Sequence, residues 1–165
     1  MSIKEILKFP DKRLRKVAKP VEQFDESLKL LISDMFETMY HFNGIGLAAT
    51  QINVHKRIIV IDIKEEEKLY LVNPKIVASS GTIDSKEGCL SVPLMIDHVE
   101  RAQNVAVKTF DVNGKEQFIE AKGLLSVCIQ HEIDHLDGKL FVDYLSSLKR
   151  NRLKKRIEKE TLPAS

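Results

Sequence analysis

The segment Gln130-His131-Glu132-Ile133-Asp134-His135 constrains this chain more than any other feature. It lies on a stretch where Leu124, Leu125, Cys128, Ile129, Ile133 and Leu136 recur at helical spacing, so a helix with one buried face is predicted. In a helix, residues four apart lie one above the other, and His131 and His135 present two imidazoles to one point. Two histidines so spaced can share a metal ion, and the glutamate between them reaches water beside it. The same pattern also arises by chance on exposed polar helices. Here the apolar stripe predicts burial, and buried imidazoles next to carboxylates need a compensating role.

Two ligands do not make a tight site. Cys128 lies on nearly the same face as the histidines, but seven residues at 1.5 Å per residue put it about 10.5 Å along the axis from His135. A short thiol cannot span that gap while both imidazoles hold an ion at roughly 2 Å. Cys128 therefore reads as a small core residue. Cys89, in Glu87-Gly88-Cys89-Leu90-Ser91 between strand-like segments, is the other cysteine. An ordinary buried thiol is a common alternative, yet the need for a third ligand favours the metal. One thiolate and two neutral imidazoles leave a fourth position for water, and the set suits Zn(II) or Fe(II) alike.

The rest of the chain supplies the setting. Asp25 and Ser27 offer caps, and Leu28, Leu31, Ile32, Met35, Phe36, Met39 and Tyr40 follow at helical spacing until Asn43-Gly44 stops the run. The small-residue stretch GIGLAATQ, 44–51, reads as a tight loop or short irregular strand. Residues 57–63, 68–72 and 74–78 are β-rich runs broken by charged or Asn-Pro turns. Val105, Val107 and Thr109, then Asn113-Gly114, then Phe118 and Ile119 predict a hairpin. After the histidine helix stops at Asp137-Gly138, a last helix is expected over about 145–160. Helices at both ends with strands between them argue for an α+β domain, mainly antiparallel β-sheet around a buried metal-binding helix, with N-terminal helices and a basic C-terminal helix.

At 165 residues the chain suits one domain, 1–165, and 43% hydrophobic with 30% charged residues is ordinary for a soluble protein. A net charge of +2 defines no partner. The N-terminus lacks the apolar run of about 7–15 residues of a secretory signal. No run approaches the roughly 18 residues of a membrane span. A cytoplasmic protein, with no membrane or DNA partner, is the expectation.

Three separated segments, GIGLAATQ at 44–51, EGCLS at 87–91 and QHEIDHLDG at 130–138, resemble those of peptide deformylases in order and spacing. The likeness extends over nearly the whole chain, and the length resembles the smaller bacterial-type members. The resemblance implies removal of the formyl group from the N-terminal formylmethionine of new polypeptides, releasing formate. It implies Cys89, His131 and His135 as metal ligands, natively for Fe2+, with Zn2+, Ni2+ or Co2+ in purified protein. Glu132 would be the acid/base, and Gln51 with the Leu90 N–H would hold the formyl oxygen. Ile45, Gly46 and Gly88 would bind the substrate main chain like an added strand. Ile45, Leu124, Val127 and Cys128 would form the methionine pocket, although such residues also serve as core.

One departure stands out. Many relatives carry an arginine in the loop after EGCLSVP, whereas Leu94-Met95-Ile96-Asp97-His98 has none before Arg101, which puts any substrate contact from it in doubt. The basic tail, Lys149 to Lys159, has a thin seam of Leu148, Leu153 and Ile157. It reads either as a solvated helix or, as the family resemblance implies, as a ribosome contact through RNA phosphates. Two rivals stay open: a zinc peptidase with a carboxylate as third ligand, for which Glu158 and Glu160 in the basic tail are the only downstream glutamates, and a purely structural metal site.

Overall fold

The computed structural model describes residues 2–64 and 68–161. A 3-10 turn (Lys12–Arg15) precedes helix α1 (Glu26–His41), strand β1 (Gly46–Ala48) and a second 3-10 turn (Ala49–Ile52). Strands β2 (Ile58–Ile61), β3 (Leu69–Ser80), β4 (Ile83–Cys89), β5 (Val92–Arg101), β6 (Asn104–Phe110) and β7 (Glu116–Lys122) follow. Helix α2 (Gly123–Leu136), a 3-10 turn (Phe141–Tyr144) and helix α3 (Ser147–Thr161) complete the order. Five strands form one antiparallel sheet, β1-β2-β3-β6-β7, while β4 and β5 pair separately as an antiparallel ribbon. The class is α+β.

Alternation decides what each face of the sheet carries. Leu47, Ile58, Val60 and Val72 point to the side covered by α1, where Leu28, Ile32, Met35 and Met39 pack on them. Their neighbours Ala48, Ile59, Ile61 and Leu71 point to the other side and meet Cys128, Ile129, Ile133 and Leu136 of α2. All four residues of β2 are buried as a result, as a strand covered on both faces must be. The histidine helix is thus an interior helix seated against the sheet. A third apolar cluster joins Leu14, Val92, Phe141, Leu145 and Leu153, tying the ribbon to the N-terminal segment and to α3.

Local chemistry accounts for the boundaries. The Asp25 carboxylate accepts the Leu28 N–H at 3.1 Å, capping α1. The helix ends where Asn43 turns left-handed and Gly44 N–H returns to the Met39 carbonyl at 2.9 Å. The Asn113-Gly114 hairpin forms as expected between β6 and β7. The stretch read as a loop or irregular strand becomes both: edge strand β1, then a 3-10 turn.

Two readings change. The Asn73-Pro74 pair does not break the chain into two strands: β3 runs through it, with a register shift between Val72 and Lys75. Asn73 takes a left-handed φ of 50°, so the chain absorbs the irregularity as a bulge. Its side chain also bonds both polar groups of the Val21 backbone, at 2.7 and 3.0 Å. In α3 the apolar seam is Leu153 and Ile157 without Leu148, which is 60% exposed. Five residues turn a helix about 140° past a full turn, so Leu148 and Leu153 cannot share a narrow face.

Ile59 is wholly buried between β2's neighbours and α2. Ile59→Ala is expected to lower stability by about 2–5 kcal/mol. Urea unfolding checks this, with a reduced midpoint and an unchanged slope as the expected result.

Candidate metal centre and catalytic cleft

Strand β4 and helix α2 bring the predicted ligands together. Ser85 and Glu87 alternate with exposed neighbours along β4 and point inward, and the strand ends at Cys89. Cys89 Sγ lies 3.3 Å from His135 Nε2. The ligand atoms of Cys89, His131 and His135 all fall within 4.8 Å of one another, the only such group of three among the described residues. The two imidazole rings stand nearly edge to face, centroids 5.1 Å apart. Ligand bonds of roughly 2.0–2.3 Å require donors this closely gathered. Two buried atoms beside them, His135 Nδ1 and Glu132 Oε1, have no hydrogen-bond partner among the described residues. A thiol, two imidazoles and an unsatisfied carboxylate in one buried spot are costly without an ion and its water. The donor set fits a divalent metal.

Behind the histidines stands a group that the sequence reading did not single out. His131 Nδ1 donates to Glu87 Oε1 at 2.9 Å, which turns Nε2 toward the cysteine. Glu87 is gripped in turn by Arg101, whose Nε and one terminal nitrogen both reach it at 2.8 Å. The other terminal nitrogen of Arg101 donates to Asp134 at 2.7 Å, and the Tyr144 hydroxyl donates to the same carboxylate at 2.8 Å. Burial would raise the Glu87 carboxyl, but hydrogen bonds from Arg101 and His131 outweigh it and hold the group at about 2. Its contribution to stability is therefore full above the ordinary value of 4.5 and is lost as pH falls toward 2. The signal was present in sequence: Glu87 sits two residues before Cys89, on the same face of a strand.

Glu132 is 5% exposed, and burial pushes its carboxyl up to about 7, with neighbouring Glu87 adding to the rise and His131 opposing it. Gly46 is what admits it. A Cβ at that position would meet Glu132 Oε2 at 2.5 Å, so only glycine lets β1 run this close. Gln51, 1% exposed, accepts the Ala48 N–H at 2.9 Å and donates to Ser91 Oγ at 3.0 Å, its amide nitrogen standing 3.6 Å from Cys89 Sγ. The N-terminal segment braces both turns: Leu7 N–H bonds the Gln51 carbonyl and Phe9 N–H the Ser91 carbonyl, each at 2.7 Å.

These residues form the floor of a cleft of about 370 Å³. Ile45, Gly46 and Gly88 line its sides, as do Leu90 and Gln51. Leu124, Val127 and Cys128 supply an apolar wall from α2. His135 alone of the predicted residues lies behind the lining, against Cys89. Arg101 does not reach the mouth, because Glu87 and Asp134 occupy its guanidinium. Ile96 stands there, 66% exposed, over Gly88.

The family model for polypeptide deformylase matches residues 3–151. The chain belongs to the polypeptide deformylase family. It is 54% identical over 162 residues to the peptide deformylase of Pseudoalteromonas translucida, covering 97% of each chain. It is 56% identical over 163 residues to that of Teredinibacter turnerae, again covering 97% of each. The crystal structure of a peptide deformylase from Legionella pneumophila superposes with a TM-score of 0.91 at 53% identity, over 98% of this chain and 100% of that one. The Ehrlichia chaffeensis peptide deformylase in complex with actinonin gives 0.95 at 44% identity, over 99% and 100%. The known function of the family is deformylation of nascent peptides, and this chain is an enzyme of that family, a hydrolase that removes the formyl group from newly made polypeptides.

The deformylase's Glu87 is expected to matter beyond its fold. Glu87→Gln weakens the orientation of His131 and should lower metal affinity by about 10–100-fold. Competition titration with a chromophoric zinc chelator at neutral pH measures the loss.

Proposed function

We propose that Cys89, His131 and His135 hold one divalent ion, ferrous iron in the native enzyme, and that Glu132, Gln51 and Leu90 carry the hydrolysis of N-formylmethionyl peptides. The observation that carries the reading is the meeting of a β4 thiol and two α2 imidazoles beside the buried Glu132, on the floor of the cleft. When bound, the ion supplies Lewis acidity, acidifying water and polarising a carbonyl. Glu132 takes the proton of the attacking water and returns it to the departing amine. Burial raises the Glu132 carboxyl above the ordinary carboxylate range, which favours its holding a proton between the two halves of that exchange. The Gln51 amide and the Leu90 N–H stabilise the charge that develops on the formyl oxygen. Water and formamide thus become formate and a free amino terminus.

The substrate main chain lies between Ile45-Gly46 and Gly88, where small residues let backbones approach. The methionine side chain fills the wall of Leu124, Val127 and Cys128. Residues 1–165 act as one catalytic domain, a reading supported by Leu7 and Phe9 from the N-terminal segment and Leu153 and Ile157 from α3, which pack in one cluster with Cys89. No helix among the described residues is long and apolar enough to cross a membrane, in keeping with work in the cytoplasm on chains leaving the ribosome. The thiolate and imidazole set suits ferrous iron and zinc, with nickel or cobalt as replacements in purified protein.

Cys89→Ala should release the metal and abolish formate release from formyl-Met peptides. Glu132→Gln should keep the metal and still lose activity, by at least about 10²-fold. Metal analysis paired with a formate assay separates the two; full metal occupancy in Cys89→Ala would return the peptidase ligand set to favour.

A ribosome contact through α3 is the further part of the proposal. Lys149, Arg152, Lys154, Lys155, Arg156 and Lys159 are exposed on it, and Leu153 with Ile157 anchors it. Deleting residues 148–165 should reduce co-sedimentation with ribosomes at low salt. Unchanged co-sedimentation would leave α3 a solvated helix.

A further inference from the structure

Strands β4 and β5 close on the pair Cys89 and Val92, so Leu90 and Ser91 form a two-residue loop between them. Cys89 and Leu90 line the cleft, whereas Ser91 does not and is wholly buried. Its hydroxyl oxygen accepts from Gln51 Nε2 at 3.0 Å. A polar side chain sealed behind the cleft is thus spent on one that lines it.

The orientation of the Gln51 amide follows from its surroundings. A backbone N–H can donate only to the amide oxygen, never to the NH2 group. The Ala48 N–H, 2.9 Å away, therefore holds Oε1 on its own side and turns Nε2 toward Ser91 and Cys89. The last torsion of a glutamine is broad, with no staggered well to fix it. A contact at the oxygen alone leaves the nitrogen free to swing. Ser91 Oγ takes one of its two hydrogens, and the other is left toward Cys89 Sγ, 3.6 Å from the nitrogen.

The backbones beneath these side chains are tied to each other. Leu7 N–H donates to the Gln51 carbonyl and Phe9 N–H to the Ser91 carbonyl, each at 2.7 Å. Leu7 and Phe9 are themselves buried, so one anchored strap sets the separation of the two turns. With both backbones fixed, the serine hydroxyl governs what remains free, the rotation of the amide.

We propose that Ser91 is a positioning residue for deformylation: its hydroxyl fixes the Gln51 amide so that the second N–H is presented to the formyl oxygen alongside the Leu90 N–H of the same turn. The inference rests on the reading of Gln51 and Leu90 as the donors to that oxygen. Such donors accelerate a reaction when they are already oriented as charge develops.

The test is a double-variant cycle in the metal-loaded enzyme, read by metal analysis and by formate release from a formyl-Met tripeptide. Gln51→Ala should lower kcat by about 10²–10³-fold, the usual loss of one such donor. Ser91→Ala should lower kcat by about tenfold with KM within about twofold, the mark of an interaction made only in the transition state, and should keep the metal. Added to Gln51→Ala, it should cost less than about twofold more, since coupled residues are not additive. Ser91→Thr retains the hydroxyl and should recover most of kcat. Should Ser91→Ala not fold, Ser91→Cys, a weaker acceptor of similar size, takes its place in the cycle. An unchanged kcat, loss of the metal, or additive losses in the double variant each overturn the inference. Full kcat in Gln51→Ala sinks the donor assignment of the proposed function, and this inference with it.

Discussion

The carboxylate of Glu87 is the joint on which the site depends. It accepts from His131 on one side and from both reaching nitrogens of Arg101 on the other, and it does so from a strand two residues before Cys89. One buried anion thereby fixes an imidazole, anchors a buried guanidinium and sets the position of a thiol. A charge pair this deeply buried contributes little net stability compared with apolar packing, since both ions lose their water. What it contributes is a single geometry. Arg101 extends the grip to Asp134 on α2, so the ribbon of β4 and β5 cannot slide along the helix without breaking charged hydrogen bonds.

Packing supplies the second condition, a dry floor. Helix α2 is pressed on the sheet by Ile129, Ile133 and Leu136, which leaves Glu132 no solvent and raises its carboxyl. Gly46 permits that arrangement by lacking a side chain where the Glu132 oxygen sits. The edge strand that narrows the cleft and the residue that moves the proton are thus adjusted to each other. Bracing by the N-terminal segment, through Leu7 and Phe9, extends the rigid region from the metal ligands to the far side of the Leu90 turn.

Much of this was legible along the chain. The period of α1, the Asn-Gly hairpin and the apolar stripe of α2 are local signals, and each element formed where its pattern placed it. Cys89, His131 and His135 could be chosen by residue type and by reach along a helix. Glu87 is not legible in the same way, because a glutamate beside a turn ordinarily faces water and nothing local says that Arg101 folds in beside it. The Asn73-Pro74 pair misled for a related reason: it is a turn signal in isolation, but β3 has a partner on each side to carry it through a bulge. Composition alone puts Leu148 in the seam of α3, and the helical angle excludes it.

The sequence by itself determined the ligand types, the helix that presents two of them at one point, and the α+β order of elements, because each follows from periodicity and side-chain chemistry over a few residues. Tertiary structure alone decided that β4 delivers Cys89 to within 3.3 Å of His135 and that Arg101 is spent on Glu87 rather than offered at the mouth. Those outcomes depend on contacts between residues dozens of positions apart, where packing and desolvation select among arrangements that local preferences leave equal.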